Sequence, residues 1–410
     1  MYFQVHQPHR LRKYQVFDIN QNHDYFDAEK NKKICQKVAK KCYIPANKII
    51  LREINKHKGK FKVAYSLTGS VLEQFEKYAP EVIESFKKLA DTGCVEFLTE
   101  TYHHSLSYLY SRKEFGEQVS LHSKKIEELF GQKPKVFRST ELIFNNEMSK
   151  YIQDMGFKGT LAEGADHVLG WRSPDYVYKS VSADELKILL RNYKLSDDIA
   201  FRFSDKQWKE YPLTVEKFAG WLKGVNGQVV NLFMDYETFG EHQWEETGIF
   251  DFLEKLPGKL LENNEFLMPS EACDKFDAKG EVDMHEYVSW ADSERNLSAW
   301  LGNDMQKNAM QELYLLERAV KDTNDAKLID DWRKLTMSDH FYYMSTKWFS
   351  DGEVHNYFNP YDSPYEAFIA FMNILNDIMM RIQNSGVELS EETKKCITEN
   401  PHLVVNSKKK

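Results

Sequence analysis

Short apolar or alternating runs recur along the chain at residues 2–5, 61–67, 94–98, 135–138, 157–161 and 229–234. Helical patterns fill the intervals. In residues 80–90, for example, Pro80 occupies the first turn, Val82, Phe86 and Leu89 form one stripe, and Gly93 supplies the stop. Met148, Ile152 and Met155 repeat that arrangement ahead of Gly156. Strands alternating with helices predict a mostly parallel sheet. After about residue 285 the pattern turns helical, with long periodic stretches at 299–321, 325–336 and 364–383. The division expected is therefore a barrel-type domain over residues 1–285 and a helical domain over 286–410 that contributes to the active-site cleft. Between the helices lie the aromatic stretch 340–344 and the segment 348–365, which is too apolar for a flexible linker.

The strand ends carry the chemistry. His6-Gln7-Pro8 follows the first run, Glu100-Thr-Tyr-His103-His104 the third, Glu141 the fourth, Glu163 the fifth, and Asp235-Tyr-Glu237 the last. In a parallel barrel these positions face one mouth at the C-terminal end, where such enzymes keep their active sites. Two carboxylates facing each other there, Glu141 and Asp235, suit cleavage of a glycosidic bond. One protonates the leaving oxygen, and the other meets the positive charge that develops at the anomeric carbon. Arg138, three residues before Glu141, is placed to keep a nucleophile ionised.

Each acid also has a plain reading. Alone, Glu141 reads as a surface or helix-start acid, whereas Asp235 closes the apolar run Val-Val-Asn-Leu-Phe-Met and is hard to explain by solvation. Glu237 lies two residues beyond Asp235, where it either orients neighbours or is an ordinary solvated acid. Glu100 and Glu163 read more readily as structural acids.

Composition narrows the class. With 410 residues, 42% hydrophobic content and no apolar run of bilayer length, the chain describes a soluble globular protein larger than one core usually organises. A net charge of -8 argues against nucleic acid as a partner, and the Lys408-Lys409-Lys410 terminus is too short to alter that. Five scattered cysteines, none in a C-x-x-C pair, fit reduced thiols, and the N-terminus lacks a signal-peptide pattern, so a cytoplasmic location is expected. Aromatic residues make up 14% of the chain. Their flat faces suit sugar rings, although a large aromatic core accounts for most of them.

Five ordered motifs extend the argument. His6-Gln7-Pro8 is the first and Gly93-Cys-Val-Glu-Phe-Leu-Thr-Glu-Thr-Tyr-His-His-Ser105 the second. The third is Phe137-Arg-Ser-Thr-Glu-Leu-Ile-Phe-Asn145, the fourth Phe233-Met-Asp-Tyr-Glu-Thr-Phe-Gly240, and the fifth Ala291-Asp-Ser-Glu-Arg-Asn-Leu-Ser-Ala-Trp-Leu-Gly-Asn303. In this order they resemble glycoside hydrolase family 57, particularly its alpha-amylase-like members, over essentially the whole chain. The resemblance implies an α/β fold, an incomplete (β/α)7 barrel followed by a C-terminal helical domain. It also implies a retaining mechanism at alpha-1,4-glucan linkages with no metal cofactor, Glu141 as nucleophile and Asp235 as general acid/base. His6, His103, His104, Arg138, Glu237, Trp290 and Trp300 are carried over as substrate-binding positions. Two departures bear on the innermost contacts: Phe137-Arg138 stands where many members have Trp, and Asn296 lies where an acid is common, with Asp292 as a partial replacement.

Other readings stay open from sequence. A 4-alpha-glucanotransferase or branching enzyme of the same family shares the chemistry and differs in the acceptor. A metal-dependent deacetylase or mannosidase would use His6, His104 and Asp235 as ligands, and a silent glucan-binding protein would hold maltooligosaccharide without cleaving it. The H-x-x-H spacing of His6 and His9 is spoiled as a helical metal pair by Pro8. By base rate Trp290 and Trp300 are core residues rather than sugar platforms.

Overall fold

The computed structural model describes residues 1–347 and 359–389. Most of the 348–365 segment, Cys396 and the terminal lysines lie outside the described residues. The strands are β1 (Tyr2–Val5), β2 (Val63–Leu67), β3 (Val95–Phe97), β4 (Val136–Arg138), β5 (Gly159–Glu163), β6 (Val177–Ser180), β7 (Ala183–Arg191), β8 (Phe233–Asp235) and β9 (Glu281–Val282).

One sheet runs β3-β2-β1-β8 and another β4-β5-β7-β6-β9. A parallel bridge between Thr99 and Phe137 links them. The parallel order is thus β8-β1-β2-β3-β4-β5-β7, with only β6 antiparallel to its neighbour β7. Among the described residues no ladder joins β7 to β8. Instead Asn192 N–H donates to the Asn231 carbonyl at 2.9 Å. The result is an incomplete seven-stranded (β/α) barrel, and the near-continuous burial of β1, β2 and β5 reflects helices covering the sheet's other face.

Sequence periodicity anticipated six of the seven barrel strands and missed β7. That strand opens with Asp184, Glu185 and Lys187, of which the first two are exposed, so its apolar half does not stand out. The run at 229–234 contributes only its end to β8, because Val229 N–H turns to the Asp175 carbonyl at 3.1 Å. The expected helices over 80–90 and around 148–155 form at Pro80–Ala90 and Asn146–Asp154.

The barrel interior follows from the two-residue period of strands. Tyr2, Ala64, Leu98, Val136, Leu161, Leu189 and Phe233, one from each of the seven strand runs, belong to one buried apolar cluster. Two residues further along each run stand Gln4, Ser66, Glu100, Arg138, Glu163, Arg191 and Asp235. An apolar layer is therefore succeeded, toward the C-terminal ends of the strands, by a layer that is polar at every position.

The chain divides into two compact units: Met1–Gln7, Lys32–Tyr102 and Glu117–Trp290 form the first, and Pro8–Asn31, His103–Gly116 and Ala291–Lys410 the second. The second unit thus draws on two earlier segments besides the C-terminal helices. Its expected helix over 299–321 is broken into Ser298–Leu301, Asp304–Leu315 and Glu317–Asp322. Asn303 explains the first break, since its side chain accepts from Gln306 N–H at 2.9 Å and starts a new helix. Ala326–Leu335 and Pro364–Asn384 complete the long helices, and Trp332 is fully buried with its indole N–H on the Leu313 carbonyl at 2.9 Å.

Candidate active site

The polar layer is a connected set of charges in the first unit. Tyr2 hydroxyl donates to Gln4 Oε1 at 2.7 Å, and Gln4 Nε2 donates to Glu100 Oε1 at 2.8 Å. Ser66 hydroxyl also donates to that oxygen. The other Glu100 oxygen lies 3.8 Å from Arg138 Nη1, with both side chains fully buried. Further round the barrel Arg191 Nη1 meets Glu163 Oε2 at 3.2 Å, while its Nη2 reaches Asp197 and its Nε the Phe233 carbonyl at 2.8 Å. The plain structural reading of Glu100 and Glu163 fits these bonds, each acid being buried beside an arginine.

Arg138 is the electrostatic centre. Burial works against its charge, but Tyr2, Glu100, Glu141 and Asp235 outweigh burial and hold its pKa above the ordinary value. None of its three guanidinium nitrogens makes a hydrogen bond among the described residues, so the group acts as a shared counter-ion rather than a fork for one carboxylate.

Glu141 follows β4 in a short helical turn, Thr140–Leu142, and is itself left-handed at φ 57°. Leu142 is left-handed too, at φ 50°. Two consecutive non-glycine residues in this region cost on the order of 1–3 kcal/mol each, so the surrounding structure must impose them. It does so by pairing Phe144 with Val288 through two backbone bonds of 2.9 Å, and by a bond from Trp290 N–H to the Glu141 carbonyl at 3.2 Å. Trp290 indole N–H then donates to Glu141 Oε2 at 2.8 Å. Buried Leu142 anchors the same turn in the barrel core.

Asp235 ends β8 and is only partly buried. Its register partner is Gln4 on β1. Glu237 does not follow it on the strand, because the chain turns into a short helix, Tyr236–Thr238, immediately after Asp235. Glu237 is 5% exposed, not a solvated acid. Its Oε1 accepts from the Tyr43 hydroxyl and, at 3.4 Å, from Gln7 Nε2. Burial first, and the charge of Asp235 second, push its pKa up to about 8.

The remaining expected residues fall as follows. His6 Nδ1 lies 2.9 Å from Thr68 Oγ1 in the first unit. His103, His104, Asp292 and Trp300 belong to the second unit. His104 is buried and left-handed, and its carbonyl accepts from Ser338 N–H at 3.0 Å. Asp292 is also left-handed. Trp300 is 1% exposed and meets Tyr342 edge-on at 6.4 Å. Among the described residues no three His, Cys, Asp or Glu side chains converge as a metal-binding group. Tyr43, Gln4, Ser66 and Arg191 escaped sequence reasoning. The last three carry a usable signal, namely a polar residue two places after an inward apolar one at a strand end. Tyr43 carries none, since it sits in a π-helical turn over Ala39–Tyr43 that sequence periodicity does not mark.

A parallel barrel with carboxylates gathered round a buried arginine at its C-terminal end places these charged groups where enzymes of this architecture keep their active sites. The family model for Glycosyl hydrolase family 57 matches residues 1–285, and the chain belongs to that family. It is 47% identical over 393 residues to a Methanocaldococcus jannaschii protein named "Putative alpha-amylase", covering 92% of this chain and 82% of that one. Among solved structures it resembles a family 57 branching enzyme from Thermococcus kodakaraensis at a TM-score of 0.64 and 14% identity, covering 99% of this chain and 95% of the other. A 4-alpha-glucanotransferase from Thermococcus litoralis gives the same TM-score at 15% identity, covering 93% of this chain and 59% of its own. The expected fold is thereby supported, and the chain is a glycoside hydrolase. No helix among the described residues is long and apolar enough to cross a membrane.

Proposed function

We propose that this protein is a retaining hydrolase of alpha-1,4-glucans, of alpha-amylase type, with Glu141 as nucleophile and Asp235 as general acid/base. The observation that carries the reading is Arg138, fully buried and electrostatically coupled to both carboxylates at once. In the first step a Glu141 oxygen bonds to the anomeric carbon while Asp235 gives its proton to the departing glycosidic oxygen, which takes the C–O electron pair. In the second, water attacks the same carbon and yields a proton to Asp235, and the bond to Glu141 breaks with its electron pair returning to the carboxylate.

The polar layer fits these demands. Arg138 favours an ionised Glu141, and partial exposure of Asp235 gives its proton a route to the bound sugar and to water. His6, Arg138, Glu237 and Trp290 supply hydrogen-bonding and aromatic groups within the same unit. Cys42, Cys94 and Cys273 are free and buried, in keeping with a cytoplasmic protein.

A second reading rests on the same site. The structural relatives named above include a glucanotransferase and a branching enzyme, in which a sugar hydroxyl takes the place of water in the second step. The products formed from amylose and from maltoheptaose separate the two. Net release of reducing ends identifies a hydrolase, a ladder of longer and shorter chains without it a transferase, and new branch points a branching enzyme. Azide tests the residue assignment. Glu141→Ala with azide should form the β-glucosyl azide, and a Glu141→Ala variant at wild-type rate without azide would overturn it.

A further inference from the structure

We infer that Trp290 is a positioning residue for the second half-reaction: its indole N–H holds the Glu141 carboxylate in place and stabilises it as it leaves the anomeric carbon. The inference rests on the proposed role of Glu141. A tryptophan packed partly buried against a core, as Trp290 is, ordinarily finds some acceptor for its N–H, and that alone would mean only a satisfied polar group. Three observations go beyond it.

First, the acceptor is not a backbone carbonyl but Glu141 Oε2, at 2.8 Å. Second, the backbone of Trp290 binds the backbone of the same residue, its N–H on the Glu141 carbonyl at 3.2 Å, so main chain and side chain are tied together at a left-handed position. Third, the indole is held by two buried cations. The guanidinium carbons of Arg138 and Arg191 stand 5.0 and 5.6 Å from its ring centroid. Cations over the ring draw electron density from it, which makes the N–H a stronger donor as well as fixing its direction.

The consequence is asymmetric. When the glycosyl bond to Glu141 forms, the oxygen loses negative charge and the indole bond weakens. When water displaces Glu141, the negative charge returns and the bond strengthens along the way. An interaction that grows toward the transition state accelerates that step alone. Removing the donor should therefore slow breakdown of the glycosyl-enzyme more than its formation.

Trp290→Phe tests this, since it keeps an aromatic ring beside the two arginines and lacks the N–H. With 4-nitrophenyl α-maltoside as the activated substrate, stopped-flow absorbance should show a burst of about one nitrophenol per active site, larger than any burst of the wild type. In the steady state kcat should fall about tenfold or more, the worth of a hydrogen bond to a charged group. KM should fall with it, leaving kcat/KM reduced by a much smaller factor. Equal losses in kcat and kcat/KM with no added burst would overturn the inference, as would unchanged kinetics.

A second measurement does not depend on that variant folding. In protein with 15N-labelled indoles, one of the eight Trp Nε1–H signals should move upfield in Glu141→Gln, because an amide oxygen is a weaker acceptor than a carboxylate. An unchanged set of indole signals would also overturn it. Failure of the underlying reading looks different. If Glu141 is not the nucleophile, Glu141→Gln keeps its turnover, whatever the tryptophan does.

Discussion

Replacing Glu237 by Gln should change how stability depends on pH, and the structure gives both sign and size. Glu237 is buried beside Asp235, and its pKa is pushed to about 8 from an ordinary value of 4.5. Between those values the native protein holds a proton that the unfolded chain releases. Stability therefore falls as pH rises from about 4.5 through 8, with this group contributing about 1.4 kcal/mol per pH unit. Summed over the window, the contribution is on the order of 5 kcal/mol, fully present as a cost only above pH 8.

Gln imitates the neutral acid. Its Oε1 can still accept from the Tyr43 hydroxyl and from Gln7, and its NH2 takes the place of the acid O–H. Urea unfolding of wild type and Glu237→Gln at a series of pH values from about 5 to about 9 is the assay. The two should be close at the acid end, with the variant gaining steadily as pH rises. Parallel curves would refute the claim that Glu237 is carried as a neutral acid.

Three further outcomes follow from the same charges. Glu141→Gln and Asp235→Asn should each lower kcat/KM on maltoheptaose by roughly 10²–10⁴-fold with little change in Tm, and a fall below tenfold at either position would remove that residue from the chemistry. Arg138→Met should cost about 3–5 kcal/mol in denaturant unfolding, because Glu100, Glu141 and Asp235 lose a common counter-ion inside the barrel, and a loss under 1 kcal/mol would show that they do not depend on it. Dialysis against EDTA should leave hydrolysis intact. Its loss, with recovery on adding zinc, would favour the metal-dependent reading of His6, His104 and Asp235.

Much of the barrel was legible because its strands are short, apolar and bounded by helices with clear starts and stops. β1 and the helix Pro80–Ala90 form over the residues that periodicity marks. β7 was not legible, since its entry from the β6 hairpin is charged and partly exposed, and half a strand of apolar residues reads as nothing in particular. The candidate nucleophile and acid could be picked out as carboxylates ending strand runs. What surrounds them could not, because the partners are distant in sequence: Tyr43 lies 194 residues from Glu237, and Trp290 lies 149 from Glu141. Glu237 illustrates the limit most clearly. From sequence it reads as a residue that orients its neighbours or as an ordinary solvated acid, whereas the turn after Asp235 buries it and couples it to that acid.

The central claim is that Glu141 bonds covalently to the sugar. Incubation with 5-fluoro-α-glucosyl fluoride, followed by proteolysis and mass spectrometry, tests it most directly, since the fluorine slows breakdown of any glycosyl-enzyme. The account predicts one added fluoroglucosyl group on the peptide containing Glu141, lost on prolonged incubation with maltose as acceptor. A label on another residue, or turnover of substrate with inversion and no labelled peptide, would contradict it.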